Sequence, residues 1–290
     1  MRKSGMPSKL SKSAFEAIAA LAHRDFGLRI VPEKMTMVQS RLRHRLRALN
    51  LQDFEAYSTL VCSAQGADER RCMISALTTN VSHFFREPHH FDILSQTVLP
   101  DLKKRIQSGG RIRIWSAGCS NGQEPYSIAM HLLRAEPLLA QADFKILATD
   151  IDPKVIAHAQ AGIYTGHQTT GVCEDLKAEF LQSGDDTFTM TQTVRKHVRF
   201  RELNLLADWP MQHRFDAIFC RNVVIYFDHD TQERLWPRFH GSMNADGTLF
   251  LGHSERISPP ARFGFKTIGT TAYKKITAPG RLHASCSGDR

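Results

Sequence analysis

Residues 111–133, RIRIWSAGCSNGQEPYSIAMHLL, and the ILATDIDP stretch ending at Pro153 constrain the fold more than any other part of this chain. An apolar run is followed by a loop bracketed by Gly118 and Gly122, a segment of helical period, and a second apolar run that closes on Asp150. That order predicts a parallel strand–loop–helix–strand unit. Glycine in the loop lets a charged small-molecule tail approach the backbone, and an acid ending the second strand can hold two ribose hydroxyls. The pattern continues with helices at 89–107, 124–135, 153–161 and 230–240, and strands at 111–115, 144–149, 215–220 and 247–252. Strands alternating with helices imply an α/β domain whose parallel sheet is covered on both faces. Residues 263–276, FGFKTIGTTAYKKI, predict two antiparallel edge strands.

The first quarter of the chain reads differently, as helices only. Ser13–Glu16 has the form of a capping box, with Phe15, Ile18, Ala19, Ala22 and Phe26 at helical spacing and Gly27 as the stop. Pro32 can open a second helix with the apolar stripe Met35, Val38, Leu42, Leu46 and Leu49. Asp53 caps a third helix to about Val61, and Ala67–Leu77 reads as a fourth. Helical period fades in LTTNVSHFFREPHHF, residues 77–91. The expected organisation is an all-α domain (1–78), a linker (79–92) and an α/β domain (93–277). Residues 163–200 are expected to form an inserted β-subdomain, with a helix in EDLKAEFL and a hairpin within DTFTMTQTVRKHVRFREL. The Gly/Ser/Pro-rich tail, 278–290, is expected to be disordered.

Charge is distributed unevenly. The first 50 residues hold eleven Lys or Arg against three Asp or Glu, whereas the other 240 hold 27 against 26. The larger domain is therefore nearly neutral and unlike a nucleic-acid channel. No apolar run is long enough to span a bilayer, and Ala17–Ala22 is too short for a signal-peptide core. Six cysteines lie far apart without CxxC or Cys/His clustering, which argues against a zinc site or disulfide frame and fits a reducing cytoplasm. The 14 histidines show no HExxH-type spacing, so no metal is expected.

The glycine loop is not GxGxxG and lacks the Lys-Ser/Thr ending of a P-loop. Glu124 and Pro125 open the following helix, where a carboxylate would repel a pyrophosphate and could hold an ammonium. An amino-acid tail fits better than a phosphate, and S-adenosylmethionine (SAM) carries one. Asp150, 28 positions past Gly122, suits the ribose. Asn222 follows the strand in FDAIFCRNVVIYFD and is expected near the reacting methyl group, while Asn204 and Leu205 could meet the adenine.

In order along the chain, TTNVSHFFRE, AGCSNGQEPYSIA, ATDIDPKVIAHAQAGIY, FDAIFCRNVVIYFD and LFLGHSE resemble the bacterial chemotaxis receptor glutamate methyltransferases, over about residues 10–276. The resemblance implies a helical N-terminal domain and a Rossmann-like, SAM-dependent methyltransferase domain bearing a small β-subdomain. It implies methyl transfer from SAM to receptor glutamates, with S-adenosylhomocysteine (SAH) as product. Carried over by position, it adds Asn80, Ser82 and Arg86 to the cofactor site, with Arg86 facing the methionyl carboxylate. Glu124, Asp150, Asn204, Leu205, Asn222 and Val223 complete the set. Gln123 stands where many relatives have Glu.

A glutamate carboxylate, with a reference pKa of about 4.3, is already ionised at neutral pH and needs no general base. The lack of a His/Asp constellation is consistent with this, and Tyr226 is only a weak catalytic candidate. Cys119 and Cys220 read as small packing residues rather than nucleophiles. In SRLRHRLRALN, residues 40–50, Arg41 and Arg45 are one helical turn apart, as are Arg43 and Arg47. These four arginines are expected to dock the Glu-rich cytoplasmic methylation helix of a chemoreceptor. The protein is expected to act as a cytoplasmic monomer, without nucleic acid and without membrane insertion. Two other readings are a nucleic-acid methyltransferase, which lacks its Asn/Asp-Pro-Pro-Tyr/Phe signature here, and a silent SAM-binding regulator.

Overall fold

The computed structural model describes residues 9–78 and 81–276. Asn80 and the 278–290 tail lie outside the described residues. Helices α1 (Lys12–Phe26), α2 (Met35–Ala48), α3 (Phe54–Cys62) and α4 (Ala67–Leu77) enclose a core of their own, built on Ile18, Leu42, Leu46, Phe54 and Tyr57. Gly27 ends α1 at φ 67°, and Asp53 caps α3 by accepting from the Ala56 N–H. The start of α1 is corrected. Ser11, not Ser13, accepts from the Ala14 N–H at 3.1 Å, so the helix begins two residues earlier than the capping-box pattern predicts. Pro32 opens a 3-10 turn, Pro32–Lys34, that runs into α2.

The connecting helix divides into α5 (His89–Ile93), a π turn (Leu94–Val98) and α6 (Leu99–Gln107). Pro100 lacks an N–H to donate back, which accounts for the widened turn before it. Strand β1 (Ile112–Ala117) then leads through the glycine loop to α7 (Gln123–Ala135), β2 (Phe144–Asp150) and α8 (Pro153–Ala161). The insertion contains β3 (Ile163–Thr165), α9 (Glu174–Phe180), β4 (Leu181–Ser183), β5 (Thr187–Met190) and the short α10 (Gln192–Arg195). Then come β6 (Val198–Glu202), β7 (Phe215–Cys220), α11 (His229–Gly241), β8 (Met243–Leu251), β9 (Phe265–Gly269) and β10 (Ala272–Lys275).

Seven strands form the main sheet in the order β6-β2-β1-β7-β8-β10-β9. The first five are parallel, and β10 pairs antiparallel with β8 and β9. Of the expected pair of edge strands, β9 is an edge and β10 is interior. The chain runs outward from β1 through β2 to β6, then returns to lay β7 on the other side of β1. This reversal between β1 and β7 is the switch point at which open α/β sheets bind ligands.

The insertion also differs from its sequence reading. The hairpin is β4–β5, and β5 pairs with β3 on its other side. The single turn α10 separates β5 from β6, and β6 joins the main sheet beside β2. The insertion therefore ends near residue 197 rather than 200. Alternation persists through β6 because it is an edge strand: Val198 and Phe200 are buried while Arg199 and Arg201 are exposed.

The two domains are joined by specific polar contacts. Leu28 bridges Phe227, and the Arg29 N–H donates to the Tyr226 carbonyl at 2.9 Å. Asn204 Nδ2 donates to the Asp25 carbonyl at 2.9 Å, Arg71 pairs with Glu202 at 2.9 Å, and Ser75 donates to Asp152. His23 meets Asp228 at 2.5 Å. Among the described residues no helix is long and apolar enough to cross a membrane.

Candidate active site

The turns after β1 and β7 meet above the switch point. Gly118 has φ 88°, and a Cβ there would lie 2.2 Å from Val223 Cγ2, so the two turns close on each other only because this residue is glycine. Ser120 (φ 49°) and Gly122 (φ 90°) are also left-handed. The loop's amides are already used. Gly118 and Cys119 donate to the Thr149 carbonyl at 2.8 and 2.9 Å, and Ser120 donates to Asp150 Oδ2 at 2.8 Å. Few N–H groups remain for a phosphate, consistent with a different kind of tail.

These turns border a cavity of about 430 Å³, within the range of about 300–1,000 Å³ usual for small-molecule sites. Ser82, Arg86, Glu124, Asp150, Asn204, Leu205, Asn222, Val223 and Tyr226 all line it. The helical domain supplies part of the wall through Phe26, Leu28, Ile74 and Thr78, which the sequence reading did not assign to the site.

Asp150 Oδ1 accepts from the Asp152 N–H at 3.0 Å, and Oδ2 from Ser120. A carboxylate offers about four acceptor sites, so it can still take a hydroxyl donor. Burial pushes its carboxyl up to about 6, against the pull of those N–H groups. Asn204 donates one N–H to Asp25 and accepts from the Leu206 N–H at 2.9 Å, leaving one donor and one lone pair for a base edge. Arg86 donates to the Val81 carbonyl at 3.2 Å.

Glu124 lines the cavity with partners of its own: Oε1 accepts from Ser116 at 2.6 Å and Oε2 from Arg221 Nε at 2.7 Å. A buried carboxylate at this position is stable because a guanidinium neutralises it. An incoming ammonium would share the group with Arg221.

Two residues in the site escaped the sequence reading. Arg221 ends the fully buried strand β7, and a cation there demands a buried acid. Glu255, the last residue of LFLGHSE, is buried and accepts from four backbone N–H groups. Gly252 (2.5 Å) and Asn222 (2.9 Å) donate to Oε2; Val223 (2.9 Å) and Ile225 (3.2 Å) donate to Oε1. It anchors the turn in which Asn222 is left-handed at φ 60°.

Cys119 and Cys220 are buried, and burial pushes both thiols well up, as suits packing rather than nucleophilic groups. Glu87, His89 and His90 offer three donor atoms within 4.8 Å of one another, a group that HExxH spacing would not reveal. Arg221 Nη1 stands 3.3 Å from His90 Nδ1 and 3.8 Å from Glu87 Oε2, where its charge opposes a cation.

The basic helix is partly reassigned. Arg45 is paired with Glu69 at 2.6 Å, with both side chains largely buried, and Tyr57 donates to the same carboxylate at 2.9 Å. Arg41 donates to the Leu77 carbonyl at 2.5 Å. This row clamps α2 to α4. Arg43 is half-buried, and only Arg47 of the four is exposed.

Residues 80–274 match the family described as "CheR methyltransferase, SAM binding domain", and residues 13–78 match "CheR methyltransferase, all-alpha domain". The chain belongs to the CheR methyltransferase family. It is 46% identical over 261 residues to the probable chemotaxis protein methyltransferase of Rhizobium etli, covering 89% of this chain and 97% of that one. It is 39% identical over 270 residues to the chemotaxis protein methyltransferase of Escherichia coli, covering 91% of each. The Borreliella burgdorferi protein of the same name is 36% identical over 253 residues, covering 86% of this chain and 89% of that one. The CheR methyltransferase domain is a SAM-binding domain, and the residues around the cavity suit that group, combining carboxylates that can accept hydroxyls or pair an ammonium with guanidiniums that can pair a carboxylate.

A pH dependence follows from Asp150. Its ionised form can accept a hydroxyl, so a ribose held there would keep its affinity above the pKa of about 6 and lose it as pH falls through it. SAH affinity measured by calorimetry is expected to be about tenfold weaker at pH 5 than at pH 8. Asp150→Asn is expected to bind weakly at both pH values; an undiminished slope in that variant would assign the titration elsewhere.

Proposed function

We propose that this protein transfers the methyl group of SAM to glutamate side chains of chemotaxis receptors, giving glutamate methyl esters and SAH. The observation that carries this reading is the convergence of Arg86, Glu124, Asp150 and Asn222 on one cavity in a chain of this family. Bound there, SAM would supply a methyl group on a positively charged sulfur, which an already ionised carboxylate can take without a general base. The protein's part is placement and exclusion of water. On this reading Asp150 and Asn204 take the nucleoside, and Arg86 and Glu124 the amino-acid end. Val81 and Ile225, exposed and apolar, also border it and can strip water from an arriving carboxylate. Tyr226 borders it as well, as an apolar wall with a hydroxyl.

The reading is tested by incubating the protein with methyl-tritiated SAM and receptor membranes, or with DNA and RNA. Label is expected on receptor and released as methanol by alkali. Label on nucleic acid, or on nothing, overturns it. The expected setting is the cytoplasm, with the protein acting as a monomer on receptor methylation helices.

A second, smaller cavity of about 290 Å³ shares Leu28, Ile225 and Tyr226 with the first and is lined by Arg29, Lys34 and Arg41. On this reading an acidic receptor helix lies across it, with Arg43 and Arg47 further along α2, and Arg45 no longer among the docking residues. Arg29→Glu with Lys34→Glu is expected to slow receptor methylation about tenfold at low ionic strength, and less at high salt. SAH affinity is expected to stay unchanged; an unaltered methylation rate would remove this surface from the docking path.

A further inference from the structure

Arg221 stands at the end of an apolar strand and is almost wholly buried. Its Nε donates to Glu124 at 2.7 Å, and its Nη1 donates to the Arg86 carbonyl at 2.5 Å and to His90 Nδ1 at 3.3 Å. Glu87 Oε2 lies 3.8 Å away and has no hydrogen-bond partner. The rings of Phe219 and Phe91 lie 5.7 and 6.0 Å from its Cζ and close off the remaining sides. One guanidinium thus joins three separately encoded pieces: the linker, the first turn of α7 and the end of β7.

The linker needs such an anchor. Phe85 and Glu87, on either side of Arg86, are left-handed at φ 54° and 58°. Residues with a Cβ hold that conformation only where the surroundings enforce it. The bond to the Arg86 carbonyl falls between the two strained positions, so it bears directly on where the Arg86 side chain enters the cavity. The charges also balance: Arg86 and Arg221 against Glu87 and Glu124, with His90 neutral because burial pushes it down to about 4. A neutral cluster of this kind suits a zwitterionic tail and disfavours a phosphate.

We propose that Arg221 is a positioning residue for the amino-acid end of the cofactor: it orients Glu124 for the ammonium and Arg86 for the carboxylate, and leaves the nucleoside end to Asp150 and Asn204. This rests on the cavity being a SAM site. It goes further in dividing the site into two halves, of which only one depends on this residue.

The division can be measured with two ligands. SAH carries the whole tail, whereas 5′-methylthioadenosine shares its adenine, ribose and sulfur and lacks the amino acid. Both are titrated calorimetrically into the full chain and into Arg221→Lys, which keeps the charge and loses the planar fork that serves several acceptors. The dissociation constant of SAH is expected to rise at least tenfold, and that of 5′-methylthioadenosine to stay within twofold. Equal weakening of both ligands, as a merely structural role predicts, overturns the proposal, as does no weakening of either. If Arg221→Lys fails to fold, Arg221→Gln, uncharged and shorter, removes the same contact while leaving Glu124 and Arg86 in place. The same split is expected there, and the same two outcomes overturn it. An unmutated protein that binds neither ligand instead overturns the reading of the cavity.

Discussion

Arg45→Ala is expected to destabilise the helical domain by about 3–5 kcal/mol, the cost of leaving a buried charge without its partner. Glu69 is the charge left behind. Its side chain is only 8% exposed, and after the substitution only Tyr57 would still donate to it among the contacts described above. Arg47→Ala, two positions along on the open face of the same helix, is expected to stay within about 0.5 kcal/mol of the parent. Urea unfolding of the two variants measures the difference. A loss below about 1 kcal/mol for Arg45→Ala would show that the ion pair is replaceable by solvent. The contrast has a practical consequence: a loss of receptor methylation in an Arg45 variant reports folding, not recognition, whereas Arg29 and Lys34 variants report recognition.

Glu255→Gln is expected to reduce methyl transfer by about 10²-fold, because it loosens the turn that carries Asn222 and Val223 into the cavity. Each carboxylate oxygen of Glu255 serves two backbone N–H groups. A glutamine keeps one oxygen and turns an NH2 group toward the other pair of donors. Two buried N–H groups then lose their acceptor, at about 1–3 kcal/mol each before relaxation. Gly252 explains why the turn cannot simply shift: a Cβ there would lie within 2.6–2.8 Å of Asn222 and Glu255. The space is filled, and Glu255 holds the left-handed Asn222 through its backbone N–H. Steady-state rates with SAM and receptor, alongside a thermal melt, check the expectation. A variant that melts earlier yet turns over normally would confine Glu255 to stability.

The architecture was readable before any coordinates because its signals are periodic and local. The strands at 111–115, 144–149 and 215–220 needed only short apolar runs, and their flanking helices only a 3.6-residue stripe. The positions around the cavity were readable for a related reason. In a doubly wound sheet the ends of successive parallel strands fall on one side, so a residue's place at a strand's end indicates its place in the site. Glu124, Asp150, Asn204, Leu205 and Asn222 line the same cavity for that reason, whereas Ser82, Arg86 and Val223 were named from the family resemblance.

What the chain's order alone could not reveal were pairings between distant residues. Nothing near Arg45 in sequence marks Glu69 as its partner, and a helical wheel shows Arg45 and Arg47 as equally basic. Only the packing of α2 on α4 turned one inward and left the other in water. The same holds for Glu124 and Arg221, 97 residues apart, and for Glu255 and the Asn222 turn. Hydrophobic period and glycine placement are properties of a segment and survive without the rest of the molecule. The partner of a buried charge depends on which elements the fold brings together, so that information exists only once the chain has closed on itself.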